Sequence, residues 1–223
     1  MKISDFLPIP RGITAILGGG GKTTLLYKLA QELSAAGRVI VATSTRIYPP
    51  REIPTRFDAS PAEIRAYFQI NRVLCIGEPA ENGKLSAPKL PFSALSELAD
   101  YILVEADGSR GLSLKAHEPQ EPVIPEGTAL RVYVVGVDAF GERIRDAAHR
   151  PALYARLAET DEQAVVTPEL AARVLEREAL SDVVLLNKVE TADEYALAWQ
   201  FARARKKATV VGSLQKECYQ CLC

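Results

Sequence analysis

The chain has 223 residues, with 27 Lys and Arg against 28 Asp and Glu, a net charge of −1 and 48% hydrophobic residues. That balance excludes a global electrostatic attraction to nucleic acid or to an anionic membrane. No apolar run approaches the roughly 18 residues of a membrane helix, and a chain this long buries about 70% of its unfolded surface, so it needs no disulfide or metal to fold. The first residues, Met1-Lys2-Ile3-Ser4-Asp5, carry an early acid and soon meet Pro8 and Pro10, which is not the pattern of a signal peptide. The expected location is cytoplasmic.

Apolar runs alternate with amphipathic stretches along the chain, the signature of a mostly parallel α/β sheet. Residues 12–17 (GITAIL) read as a strand and 22–36 as a helix, with Leu25, Leu26, Leu29, Ala30 and Leu33 at helical spacing and Gly37 closing it. Residues 38–42 (RVIVA) read as a second strand. The stretch 45–61 carries four prolines, counting Pro61, and reads as loop. A short helix over 62–69 and a strand over 72–77 follow, and Asn82-Gly83 signals a hairpin turn. Residues 92–99 read as helix. The run 101–105 (YILVE) is almost wholly apolar, as expected for a sheet covered on both faces. Strands over 131–137, 182–186 and 208–211 and helices over 168–178 and 191–207 complete the reading.

The strongest chemical signal is Gly18-Gly19-Gly20-Gly21-Lys22-Thr23-Thr24, set between an apolar strand and an amphipathic helix as a P-loop requires. Glycines let backbone N–H groups turn toward a phosphate, and the helix N-terminus adds its positive end. Lys22 is expected on the β- and γ-phosphates and the Thr23 hydroxyl on Mg²⁺. The usual G-x-x-x-x-G-K-[ST] spacing asks for glycine at position 16, where this chain has Ile16.

Two acids leave the next apolar strand, in Glu105-Ala106-Asp107-Gly108. Ligands of open α/β sheets bind at the carboxyl ends of strands, and residues two apart on a strand share a face. Glu105 is therefore expected to help hold Mg²⁺, and Asp107 to place or activate a nucleophile. The hydroxyls of Thr43-Ser44-Thr45, with Arg46, end the second strand beside them. Lys115, His117 and Glu118 are further candidates for an anionic substrate or for closing over phosphates, Arg150 could reach a phosphate, and Asp138 ends an apolar strand at the expected ligand side of the sheet.

Asn187-Lys188-Val189-Glu190 is similar to the guanine-reading N-K-x-D motif, with Glu190 in place of Asp. The extra methylene displaces the carboxylate, so ATP and GTP are both open as the nucleotide. Cys218, Cys221 and Cys223 crowd the end of the chain. Three thiolates can grip a soft metal or carry selenium, but they do not complete a tetrahedral site alone, and a frayed tail is the commoner outcome.

Taken in order, these segments resemble the YqeC family. The resemblance runs through 17–24, the hydroxyl-rich end at 43–45, 104–109, 114–116 and 118–125 (EPQEPVIP), 134–141 (VVGVDAFG), His149-Arg150-Pro151, Thr167-Pro168-Glu169 and 186–188. It implies a nucleotide-dependent step in selenium-cofactor maturation of molybdenum hydroxylases, with such an enzyme or another maturation protein as partner. The expected fold is α/β and P-loop NTPase-like, a predominantly parallel sheet flanked by helices with a small β-hairpin insertion. Residues 1–215 are expected to form one nucleotide-binding domain and 216–223 a Cys-rich tail. The expected activity is Mg²⁺-dependent hydrolysis of ATP or GTP. The alternatives are a small-molecule kinase or ligase, with Lys115 and Arg46 on the acceptor, and a nucleotide-gated chaperone.

Overall fold

The structure, a computed structural model, describes residues 1–205 and 207–222. Its strands are β1 (Gly12–Gly18), β2 (Val39–Thr43), β3 (Thr55–Arg56), β4 (Val73–Ile76), β5 (Glu78–Pro79), β6 (Leu85–Ser86), β7 (Tyr101–Glu105), β8 (Leu114–Lys115), β9 (Thr128–Gly136), β10 (Ala148–His149), β11 (Val183–Asn187), β12 (Thr209–Ser213) and β13 (Cys218–Leu222). The helices are α1 (Lys22–Leu33), α2 (Pro61–Tyr67), α3 (Phe92–Ser96), α4 (Ile144–Ala147), α5 (Pro151–Ala158), α6 (Pro168–Glu178) and α7 (Ala192–Arg205).

Nine strands form one sheet in the order β13-β12-β11-β9-β1-β7-β2-β4-β3. All neighbours run parallel except β12 and β13. The chain leaves β1, passes through α1 and enters β2, but β7 lies between those two strands. The carboxyl ends of β1, β7, β2, β9 and β11 are thereby gathered on one edge.

Alternation along each strand feeds two covered faces. Ile16 joins Leu25, Leu26 and Leu29 of α1 in one cluster. Its neighbours Ala15 and Leu17 point the other way, toward Ala171 and Val174 of α6 and Phe201 of α7. Farther along that second face, Ile13, Ile40 and Ile102 meet Ile64 of α2 and Leu95 of α3. Ile16, in the place of the early loop glycine, is therefore a fully buried strand residue paired with Glu105 and Val132. Glycine there would forfeit apolar burial and give the phosphate loop nothing, because the loop begins only at Gly18.

The expected hairpin is β5–β6, with Asn82 and Gly83 both at positive φ in its turn. Backbone hydrogen bonds between Ile47 and Leu85, at 3.1 and 2.7 Å, tie it to the proline-bearing loop after β2. The end of the chain departs from the tail expected there: residues 218–222 are the antiparallel edge strand. Tyr219 and Leu222, of opposite parity, are buried on opposite faces of the sheet, and that apolar burial holds the segment in place. Cys218 and Cys221, likewise three apart, face opposite ways along this strand, so they do not converge on one ion. Among the described residues no cluster of His, Cys, Asp and Glu suited to a metal occurs, and Cys223 lies outside them, as does Lys206 of the helix expected over 191–207.

Candidate functional site

The glycine loop is shaped by what crowds it. At Gly20, with φ +72°, a Cβ would stand 2.4 Å from the backbone N of Gly136, and at Gly21, with φ +130°, 2.5 Å from Nδ2 of Asn187. Only glycine suits both the dihedral angles and the space. The Gly19 and Gly20 N–H groups donate inward to the carbonyls of Val134 (2.9 Å) and Leu112 (3.0 Å). The donors available to a phosphate are therefore those of the helix start. Gly21 caps α1 without a side-chain partner, and residues 20–24 line a cleft of about 450 Å³. An uncapped helix N-terminus that lines a cleft presents free N–H groups and the positive end of the helix dipole to it.

Lys22 is buried and turns back over the loop. Its Nζ donates to the Gly18 carbonyl at 2.7 Å and lies 3.1 Å from Oδ1 of Asp107 and 3.9 Å from Oε1 of Glu105. Thr23 Oγ1 donates to Glu105 Oε2 at 2.8 Å. Thr43 anchors the same strand end by donating its hydroxyl to the Glu105 carbonyl, 2.9 Å. Glu105, at the end of β7, and Asp107, just beyond it, thus both meet Lys22.

The two acids differ sharply in electrostatics. Burial raises the Glu105 carboxyl above its ordinary pKa, with the Lys22 charge opposing. Burial also pushes Asp107 upward, but the His117 hydrogen bond and the charges of Lys22 and Lys115 outweigh it and bring the group down to about 2. Asp107 is fully buried; its Oδ2 accepts from the Gly18 N–H (2.9 Å) and bonds His117 Nε2 at 2.6 Å. In this arrangement Asp107 braces the loop through the Gly18 N–H and Lys22.

His117, only one of several further candidates in the sequence, is the keystone of the ion network. Its ring spans Asp107 and Glu178, whose two oxygens both lie 3.1 Å from Nδ1. Burial disfavours the imidazolium, but the two carboxylates prevail and raise its pKa. Tyr133 donates to the Lys115 carbonyl at 3.0 Å and to Glu178 at 3.3 Å. Lys115, with no side-chain exposure, is spent on the Gly108 carbonyl (2.7 Å) and Glu121 (2.8 Å). Arg150 grips Glu121 with both terminal nitrogens, 2.5 and 2.9 Å, and holds Glu121 at about 2. Neither Lys115 nor Arg150 is therefore presented to an acceptor or a phosphate. With His117 protonated, four cations (Lys22, Lys115, His117, Arg150) balance four anions (Glu105, Asp107, Glu121, Glu178), which is how so many charges tolerate burial. Glu178 escapes a reading of the sequence, although an acid in the last turn of a helix opposes the dipole and signals a partner.

On the opposite flank Asn187 stitches the loop to the sheet. Its Nδ2 donates to the Gly20 carbonyl (2.8 Å) and its Oδ1 accepts from the Leu214 N–H (3.0 Å). Lys188, at φ +69°, donates to Ser113 (2.9 Å) and Asp138 (2.7 Å). Glu190 is exposed and accepts from the Ser213 hydroxyl at 2.7 Å.

The family model described as YqeC protein matches residues 14–152. An uncharacterized protein YqeC from Escherichia coli (strain K12) is 34% identical over 141 residues, 59% of this chain and 54% of that relative, so the match spans about half of the relative's length. Among solved structures, the signal recognition particle 54 kDa protein from Aeropyrum pernix K1 in complex with GDP aligns with 97% of this chain and 45% of that one, at 13% identity and a TM-score of 0.43. A likeness of that size adds nothing to the fold, which the strand order and the strand–glycine loop–helix junction establish as α/β and P-loop NTPase-like.

Proposed function

We propose that this chain, which belongs to the YqeC family, binds a nucleoside triphosphate at the start of α1 and cleaves its terminal phosphate with Mg²⁺. The observation that carries the reading is the uncapped α1 N-terminus, with Lys22 and the Thr23–Glu105 pair at its mouth.

In this reading the N–H groups of residues 21–24 receive phosphate oxygens. Lys22 exchanges the Gly18 carbonyl for the β- and γ-phosphates, and Asp107 stays beneath it to limit its swing. Thr23 Oγ1 and the Glu105 carboxylate, 2.8 Å apart, are hard oxygen donors at the loop mouth and fit Mg²⁺, which takes few protein ligands and completes its shell with phosphate and water. Bound there, Mg²⁺ supplies charge neutralisation to the β- and γ-oxygens. With Asp107 confined, Glu105 is the acid that faces the cleft, and it orients water or an acceptor oxygen there. Asn187 and Lys188 frame the base, and Glu190 is its weakest contact because Ser213 already engages it. The family resemblance extends the proposal to selenium-cofactor maturation of molybdenum hydroxylases, with one of those enzymes or another maturation protein as partner.

A thermal-shift panel of ATP, GTP and their diphosphates, with and without Mg²⁺, tests the reading. Stabilisation by a triphosphate that depends on Mg²⁺ and is lost in Lys22→Ala supports it; no shift with any nucleotide refutes it. Phosphate release is then measured in Glu105→Gln, where a turnover unchanged from wild type removes Glu105 from the chemistry.

A further inference from the structure

We propose that the groove leading from the phosphate loop past Tyr48 holds a second ligand, a small anion with a flat apolar body, beside the triphosphate. The inference rests on the nucleotide reading above and gives the substrate class that such a site takes.

The cleft over the loop carries more positive charge than a triphosphate site needs. Besides Lys22 it is bordered by Arg46, Lys84 and Arg110, against Glu105 alone among acids. These three cations come from other elements: the loop after β2, the β5–β6 hairpin and the loop after β7. The phosphates already have Lys22 and the helix N–H groups. Arg46 does reach Glu81 at 3.3 Å, but both side chains are exposed, and such a pair is worth little and exchanges readily.

The second half of the groove is opposite in character. A cavity of about 410 Å³ adjoins the cleft, walled by Tyr27, Tyr48, Pro49, Pro50 and Ile53, and Thr23 and Tyr48 border both spaces. The charges at its far end, Arg51 and Glu52, offset each other. The ligand that matches has its anionic group toward Arg46 and Lys84 and an apolar ring system between the tyrosines and prolines. A concavity of this size suits a small molecule.

The wall is already formed. Tyr27 donates its hydroxyl to the Tyr48 carbonyl at 3.0 Å, Lys84 Nζ stands 5.0 Å over the Tyr48 ring, and the Ile47–Leu85 backbone pair clamps the segment to the hairpin. The hairpin insertion thus positions the wall of the groove. In the nucleotide reading the base lies toward Asn187 and Lys188, on the opposite flank of the loop where Gly21 meets Asn187, and leaves this groove free.

The test titrates 1-naphthyl phosphate into the full chain by calorimetry, with and without a saturating non-hydrolysable triphosphate and Mg²⁺; 1-naphthol and inorganic phosphate control for each half of the ligand. The expected result is saturable binding that survives the triphosphate and is at least about tenfold tighter than either control. Arg46→Ala and Tyr48→Ala should each weaken it about tenfold and leave triphosphate affinity within about twofold. Absence of binding, displacement by the triphosphate, or indifference to both substitutions overturns the second site. Failure of the triphosphate itself to bind, measured separately, strikes the nucleotide reading alone, and the titration without nucleotide still decides the groove.

Discussion

The loop after β7 and the loop after β11 both leave the sheet beside the glycine loop, yet they support it by opposite means. The β7 side uses buried charge: Asp107 under Gly18 and Lys22, backed by His117 and Glu178. The β11 side uses one neutral amide, Asn187, and leaves Lys188 and Glu190 partly or wholly open to solvent. Buried charges resist the loss of any one partner, because the survivor remains desolvated and unpaired. A neutral amide costs only its hydrogen bonds, and an exposed carboxylate hardly anything. The two flanks should therefore respond to substitution on quite different scales.

The largest effect is expected from His117→Asn, which leaves Asp107 and Glu178 facing each other across a dry gap. Losing one member of a buried ion network costs about 3–5 kcal/mol, read from urea unfolding. The cost should also depend on pH. The folded pKa of His117 is raised above its unfolded value, so its contribution is complete below about pH 6.5 and is lost as pH rises through the folded value. The gap between wild type and variant should be widest near pH 6 and narrow toward alkaline pH. A gap constant from pH 6 to 9 would mean that His117 acts by packing alone.

Lys22→Ala comes next. A triphosphate at about 100 times its dissociation constant stabilises by roughly 2.7 kcal/mol, a melting shift of roughly 5–10 °C for this size. The variant gives up one cation of the buried network and is destabilised, but by less than His117→Asn because Asp107 keeps His117 and Lys115. The folded variant should lose the nucleotide shift, and retention of the full shift would remove Lys22 from phosphate binding.

Asn187→Ala gives up both amide hydrogen bonds and leaves the Gly20 carbonyl and the Leu214 N–H unsatisfied, at about 1–3 kcal/mol. Hydrogen exchange should speed up across residues 18–21 and stay unchanged around Asp107. Equal acceleration at both places would show that the two supports are one cooperative unit.

The smallest effect belongs to Glu190→Ala, expected within about 0.5 kcal/mol of wild type in stability. ATP and GTP should bind alike before and after. A wild-type preference for GTP beyond about tenfold that vanishes in the variant would make Glu190 a reader of guanine and reverse the ranking of the two flanks.

Much of this is legible from local rules. The glycine loop, the fully apolar run before Glu105 and the helical spacing of α1 and α6 lie close together in sequence, and backbone sterics and side-chain periodicity act over that range. The spacing of Glu105 and Asp107 predicts that they share a face, and the structure brings both to Lys22. Their division of labour is not legible, because it depends on what buries them. Burial pushes Asp107 upward, but it is weakly basic because the hydrogen bond from His117, ten residues on, and the charges of Lys22 and Lys115 outweigh that burial. Within the frayed end expected at residues 216–223, residues 218–222 form strand β13 because β12 offers an open edge and the two sheet faces accept Tyr219 and Leu222. The groove past Tyr48 likewise exists only once the hairpin binds the proline-bearing loop. Element type and the phosphate loop are decided over a few residues of chain; burial, charge pairing and cavities are decided by groups that folding alone brings within a few ångströms.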